Sequence, residues 1–141
     1  MNKVKVLFLC TGNSCRSQMA EGWCRHLKDS SIEAFSAGTN ILGVNRRAID
    51  VMKESGIDIS HHKSKTVDQL QEKFFDYVFT VCDKANNNCP YFPGEATLLH
   101  VGFDDPPERA NHLSIEEEIQ DEYRKVRDQI KAFIEKIETY F

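Results

Sequence analysis

The chain has 141 residues, 22 acidic against 18 basic side chains, a net charge of −4, and 40% apolar with 28% charged content. That is the make-up of a single globular domain spanning residues 1–141, with a core large enough for two sides. No run approaches the ~18 apolar residues of a bilayer span. From Asp104 onward eleven acids face six bases, and no basic stripe appears for nucleic acid to follow.

The first predicted element is a strand near residues 3–9, Lys-Val-Lys-Val-Leu-Phe-Leu, a continuous apolar run of the kind buried in a parallel sheet. Lys3 and Lys5 ahead of it imitate an export signal, but the run is too short and no small-residue cleavage site follows. The expectation is a cytoplasmic protein without membrane association. In that compartment its five cysteines are expected to be reactive thiols rather than structural disulfides. A helix is expected near 17–28, with Met19 and Trp23 four apart on one face. Cys15 is expected to point into the core, and Cys24 lies on that helix.

A strand near 33–37 and a helix near 45–55 come next, with Gly56 placed to terminate the helix. His61 and His62 read as a solvated loop. Thr66-Val-Asp-Gln69 has the pattern of a capping box opening a short helix. Asp76–Cys82 is strongly β-prone and reads as a central strand, and 97–101 as a further one. Ser114-Ile-Glu-Glu117 reads as a second capping box, opening a last helix. Its apolar stripe is Ile119, Tyr123, Val126, Ile130, Phe133, Ile137 and Phe141. Alternating strands and helices predict an α/β fold with a doubly wound parallel sheet. Ligands in such sheets sit outside the carboxyl ends of the strands. Cys10, Cys82 and the Asp104-Asp105 loop all fall at such ends and are expected to converge.

The chemistry is concentrated in Cys10-Thr11-Gly12-Asn13-Ser14-Cys15-Arg16-Ser17, between the first strand and the first helix. Loop amides and the Arg16 guanidinium are suited to hold a tetrahedral oxyanion over the Cys10 thiol. The planar fork of Arg16 matches two anion oxygens as Lys cannot. The same amides, the helix dipole and Arg16 favour thiolate over thiol at Cys10, and the Ser17 hydroxyl adds a donor. Gly12 and Asn13 tolerate left-handed backbone, and Asn13 is read as a brace for the loop. A leaving oxygen needs a proton, and Phe103-Asp-Asp-Pro-Pro107 presents two acids in a rigid turn. Asp105, followed directly by proline, is favoured over Asp104 as general acid. Cys82 and Cys89 add what hydrolysis does not require, a pair of thiols able to supply two electrons.

These motifs, with Gln18-Met-Ala-Glu21, Ser36-Ala-Gly38, Gly56-Ile-Asp-Ile-Ser60, Cys89-Pro90 and Gly102-Phe-Asp-Asp-Pro106, together resemble the thioredoxin-coupled arsenate reductases. Those enzymes share the fold of the low-molecular-weight tyrosine phosphatases, and the likeness runs from about residue 3 into the last helix. The resemblance implies Cys10 as nucleophile, Arg16 as oxyanion clamp and Asp105 as acid. It further implies successive Cys10–Cys82 and Cys82–Cys89 disulfides, reduced by thioredoxin. Arsenate is then the substrate, phosphate or sulfate compete for its loop, no cofactor or metal is bound, and the protein is a monomer.

If residues 83–88 were helical, Cys82 and Cys89 would lie roughly 10 Å apart. A disulfide brings Cα atoms to about 4.4–6.8 Å, so 83–89 is expected to rearrange with oxidation state. Asn86, Asn87, Asn88 and Pro90 suit such unwinding. Some related reductases bind potassium with groups matching Asn13, Glu21, Ser36 and an aspartate where this chain has Lys65. A Lys65–Glu21 link is expected to replace the ion. Two rival readings remain. One is an aryl phosphate hydrolase using Cys10, Arg16 and Asp105, although the Pro-Pro-Glu continuation differs from the paired tyrosines of those phosphatases. The other is a zinc or redox-sensing module built on Cys82, Cys89 and His100, whose cysteine spacing is unlike ordinary zinc knuckles.

Overall fold

The computed structural model describes residues 3–81 and 95–141. Their elements, in chain order, are β1 (Val4–Cys10), α1 (Arg16–Lys28), β2 (Ile32–Gly38), α2 (Arg46–Glu54), β3 (Tyr77–Thr80), β4 (Thr97–His100), α3 (Pro106–Arg109) and α4 (Glu116–Glu135). Single 3₁₀ turns occupy Val67–Gln69 and Ile137–Tyr140.

The four strands form one parallel sheet in the order β2-β1-β3-β4. From β1 the chain winds outward to β2 on one side and to β3 and β4 on the other. This is the doubly wound sheet expected from the alternation, and its reversal point lies between β1 and β3. Register places Cys10 opposite Gly38, and Leu9 opposite Thr80. The Val81 N–H continues the pairing by donating to the Leu9 carbonyl at 3.0 Å.

The apolar run in β1 is explained by burial on both faces. On one face Val6 and Phe8 join Met19 and Trp23 of α1, Val51 and Met52 of α2, and Val126, Ile130, Phe133 and Ile134 of α4. On the other, Leu7 and Leu9 pack with Val78, Leu70 and Phe75. A central strand buried in this way holds its last residue, Cys10, within about the precision of the core itself.

Local signals behave unevenly. After α2 the Gly56 N–H donates to the Lys53 carbonyl at 2.9 Å and the Ile57 N–H to that of Met52 at 3.0 Å. With Gly56 at φ +81, this is a Schellman cap, which a residue with Cβ would strain. The box at Thr66 forms, with Thr66 and Gln69 satisfying each other's backbone, although it opens a 3₁₀ turn rather than an α-helix. The box expected at Ser114 does not form. Helix α4 begins at Glu116 behind Ile115, without a side-chain cap. Glu117, which would complete that box, is instead held by Arg124 Nη1 at 2.6 Å, and Arg47 holds Glu116. Three acids in the first turn oppose the helix dipole in place of the cap. The apolar stripe also leaves the α-helix at Glu135: Ile137 is buried from the 3₁₀ turn, and Phe141 stacks on Tyr77 at 4.5 Å.

Candidate active site

The segment between β1 and α1 is a loop whose carbonyls from Thr11 to Ser14 are each engaged by donors outside the loop. The Thr11 carbonyl accepts from the N–H groups of Thr39 and Asn40, each at 2.9 Å. The Gly12 carbonyl accepts from Leu42 at 3.3 Å and that of Ser14 from Asn45 at 2.9 Å. The Asn13 carbonyl accepts from the Ser64 hydroxyl at 2.6 Å and from Gln18 Nε2 at 3.2 Å. Each peptide plane points its N–H opposite to its C=O, so the following amides point away from those donors. That is the polarity an anion requires. The approach of β2 to this loop is so close that a Cβ on Gly38 would sit 2.6 Å from the Thr11 carbonyl oxygen. Only glycine fits there.

Asn13 carries most of the bracing. It is fully buried in a left-handed conformation, φ 47. Its Oδ1 accepts from Gln18 Nε2 at 3.0 Å and from the Lys65 N–H at 2.9 Å. Its Nδ2 donates to Ser17 Oγ at 2.9 Å. The same Ser17 Oγ lies 2.9 Å from Cys10 Sγ, a hydrogen bond in which either atom can donate. The hydrogen-bonded chain that starts at Asn13 therefore ends on the Cys10 sulfur.

A cleft of about 270 Å³ opens above, lined by Cys10, Thr11, Gly12, Ser14, Cys15, Arg16, Leu42, Asp105 and Pro107. Arg16 Nη1 donates to the Phe103 carbonyl at 3.1 Å, and its Nη2 lies 3.8 Å from Asp105 Oδ1. Guanidinium and carboxylate thus reach one cleft from two different strand ends. Asp104 turns aside to Arg109. Cys82 and Cys89, with the 83–89 segment expected to rearrange, lie outside the described residues. The remaining thiols, Cys15 and Cys24, are buried. Desolvation pushes Cys15 well above the usual thiol range and Cys24 up to about 12.

Behind the loop lies a charged cluster centred on Glu21, which is only 4% exposed. The Ser36 hydroxyl donates to it, Arg25 Nε is 3.0 Å away, and Lys65 Nζ and His62 Nδ1 each stand at 3.9 Å. Burial pulls the Lys65 ammonium below its ordinary value, against the opposing pull of Glu21, and burial also lowers His62. His62 is not the solvated loop residue expected from its neighbour: its Nδ1 meets Gln18 Oε1 at 3.0 Å. Since Gln18 Nε2 already donates to Asn13, its Oε1 is the acceptor and His62 the donor. Sequence reasoning missed His62 and Gln18, and it missed the pair Asn45 and Tyr123, whose side chains meet at 3.2 Å beneath the Ser14 turn. An asparagine just before a helix was the one available signal, for Asn45 as an N-cap. Among the described residues no group of three or more His, Cys, Asp or Glu is arranged to hold a metal. No described helix is long and apolar enough to cross a membrane.

The model of the low molecular weight phosphotyrosine protein phosphatase family matches residues 5–140. The chain belongs to that family. Within it, the chain is 43% identical over 139 residues to Arsenate reductase 2 of Staphylococcus haemolyticus, covering 99% of both. Among solved structures it is similar to an arsenate reductase in the phosphate-binding state, at 31% identity and a TM-score of 0.77, covering 95% of each chain. It also resembles a thioredoxin-dependent arsenate reductase of Corynebacterium glutamicum, at 26% identity and a TM-score of 0.65, covering 99% of this chain and 64% of the other.

Proposed function

We propose that this protein reduces arsenate to arsenite in arsenical resistance, with thioredoxin as the external reductant. The observation that carries the reading is the hydrogen-bonded chain linking Asn13, Ser17 and Cys10 Sγ, beside a cleft that Cys10 shares with Arg16 and Asp105. Full-length similarity to named arsenate reductases sets the substrate class.

The Cys10 thiolate attacks the arsenic of a bound arsenate, forming a sulfur–arsenic bond. One arsenate oxygen leaves as water with the proton from Asp105. Arg16 and the loop amides hold the remaining oxygens. The thiolate of Cys82 then attacks Cys10 Sγ. The sulfur–arsenic bond breaks with its electron pair staying on arsenic, which departs as arsenite, reduced by two electrons. Cys89 attacks Cys82 and releases the Cys10 thiolate. The Cys82–Cys89 disulfide passes to a thioredoxin dithiol by exchange. This scheme asks nothing of a bound cofactor, and it operates in a cytoplasmic monomer.

Hydrolysis of aryl phosphates is the second reading, favoured because Cys10, Arg16 and Asp105 already form the complete set for it. Arsenite formation with thioredoxin, thioredoxin reductase and NADPH tests the first. Cys82→Ser is expected to abolish catalytic arsenate turnover while leaving phosphate ester hydrolysis intact. Turnover by that variant at the wild-type rate removes the relay.

A further inference from the structure

The loop bearing Asp105 has little of the burial that fixes the anion loop. It is pegged at one end by Phe103, whose ring packs edge-on against Phe133 of α4 with centroids 5.7 Å apart. At the other end stands Arg109, the last residue of α3. Its Nη1 donates to Asp104 Oδ2 at 3.0 Å, and its Nε donates to Glu122 Oε1 at 3.0 Å. Its backbone N–H donates to the Asp105 carbonyl at 2.9 Å. Glu122 belongs to α4, is 13% exposed, and is held from its own helix by Lys125 at 2.9 Å. One guanidinium therefore fastens the residue before the acid to the longest helix of the fold.

We infer that Arg109, by gripping Asp104 and Glu122 at once, is the positioning residue that sets Asp105 over the cleft; the inference rests on the reading of Asp105 as the acid. Two different nitrogens address two carboxylates, a task for a planar fork rather than a point charge. The Arg109–Asp104 half of this bridge is solvent-exposed on both sides and adds little to stability. Its influence is on placement, where an error near 1 Å costs up to about 100-fold in rate.

The test is a double-mutant cycle of Arg109→Met with Asp105→Asn, read as steady-state arsenate reduction. Arg109→Met is expected to lower kcat about tenfold with KM unchanged. Arg109→Lys recovers only part of that loss. In the Asp105→Asn background, Arg109→Met adds nothing, because the group it places is already gone. Alkylation of Cys10 by iodoacetamide, followed by mass spectrometry, and its protection by phosphate stay at wild-type rates. An unchanged kcat in Arg109→Met, or an equal loss in both backgrounds, overturns the inference. A wild-type chain that reduces no arsenate strikes the reductase reading instead, and the same cycle on phenyl phosphate hydrolysis then decides the clamp.

Discussion

The anion loop and the acid loop meet at one cleft but are built by opposite means. Asn13 itself is fully buried and bonded on both sides: neighbouring loop carbonyls have donors, its Oδ1 accepts from Gln18 and Lys65, and its Nδ2 donates to Ser17. Around Asp105 the carboxylates are partly exposed, and the described contacts of the loop include its prolines, the Phe103–Phe133 ring pair and Arg109. The part that receives an anion is made like core, because amides must already point correctly when charge arrives. The part proposed to deliver a proton is made like surface, where it is adjusted without endangering the fold.

Breaking the contrast at its strong end gives the largest effect. Asn13→Ala forces a side chain lacking polar atoms into a left-handed backbone, leaves the Lys65 N–H without its acceptor, and removes one partner each from Ser17 and Gln18. It is expected to cost about 3 kcal/mol in urea denaturation and to slow Cys10 alkylation as well. At the weak end the two effects separate. Asp105→Asn is expected to lower kcat about 100-fold, while the urea midpoint stays within about 0.5 kcal/mol of wild type. Parallel losses in both quantities would erase the distinction.

The smallest effect belongs to the Glu21 cluster, which supports the loop from behind. Burial lowers His62 below its ordinary 6.5. Between that ordinary value and the lowered one, the unfolded chain binds more protons than the folded chain. Stability therefore falls as pH drops through this window, and His62→Asn, which keeps a donor toward Gln18, flattens the fall in thermal melts. With Lys65 beside Glu21, exchanging sodium for potassium is expected to leave both melting and turnover unchanged.

What was legible in the sequence is what short-range physics writes there. The apolar run of β1, the glycine that ends α2 and the Thr66 box are each decided within a few residues. Failures occur where distant partners compete. Ser114 loses its box because Arg124, seven residues beyond Glu117, takes that carboxylate, with Arg47 of α2 holding Glu116. His62 looked solvated because its partner, Gln18, is 44 positions away. Arg109 carries no motif at all; its meaning depends on a glutamate one helix later.

A final consequence follows from the deep placement of Cys15 and Cys24. Both stay protonated at neutral pH, one of them at the wall of the cleft itself. In the proposed relay electrons pass between sulfurs, and thiols held protonated by burial would stand aside from that exchange. Thiol reagents applied to the native molecule should accordingly register no more than three of its five cysteines.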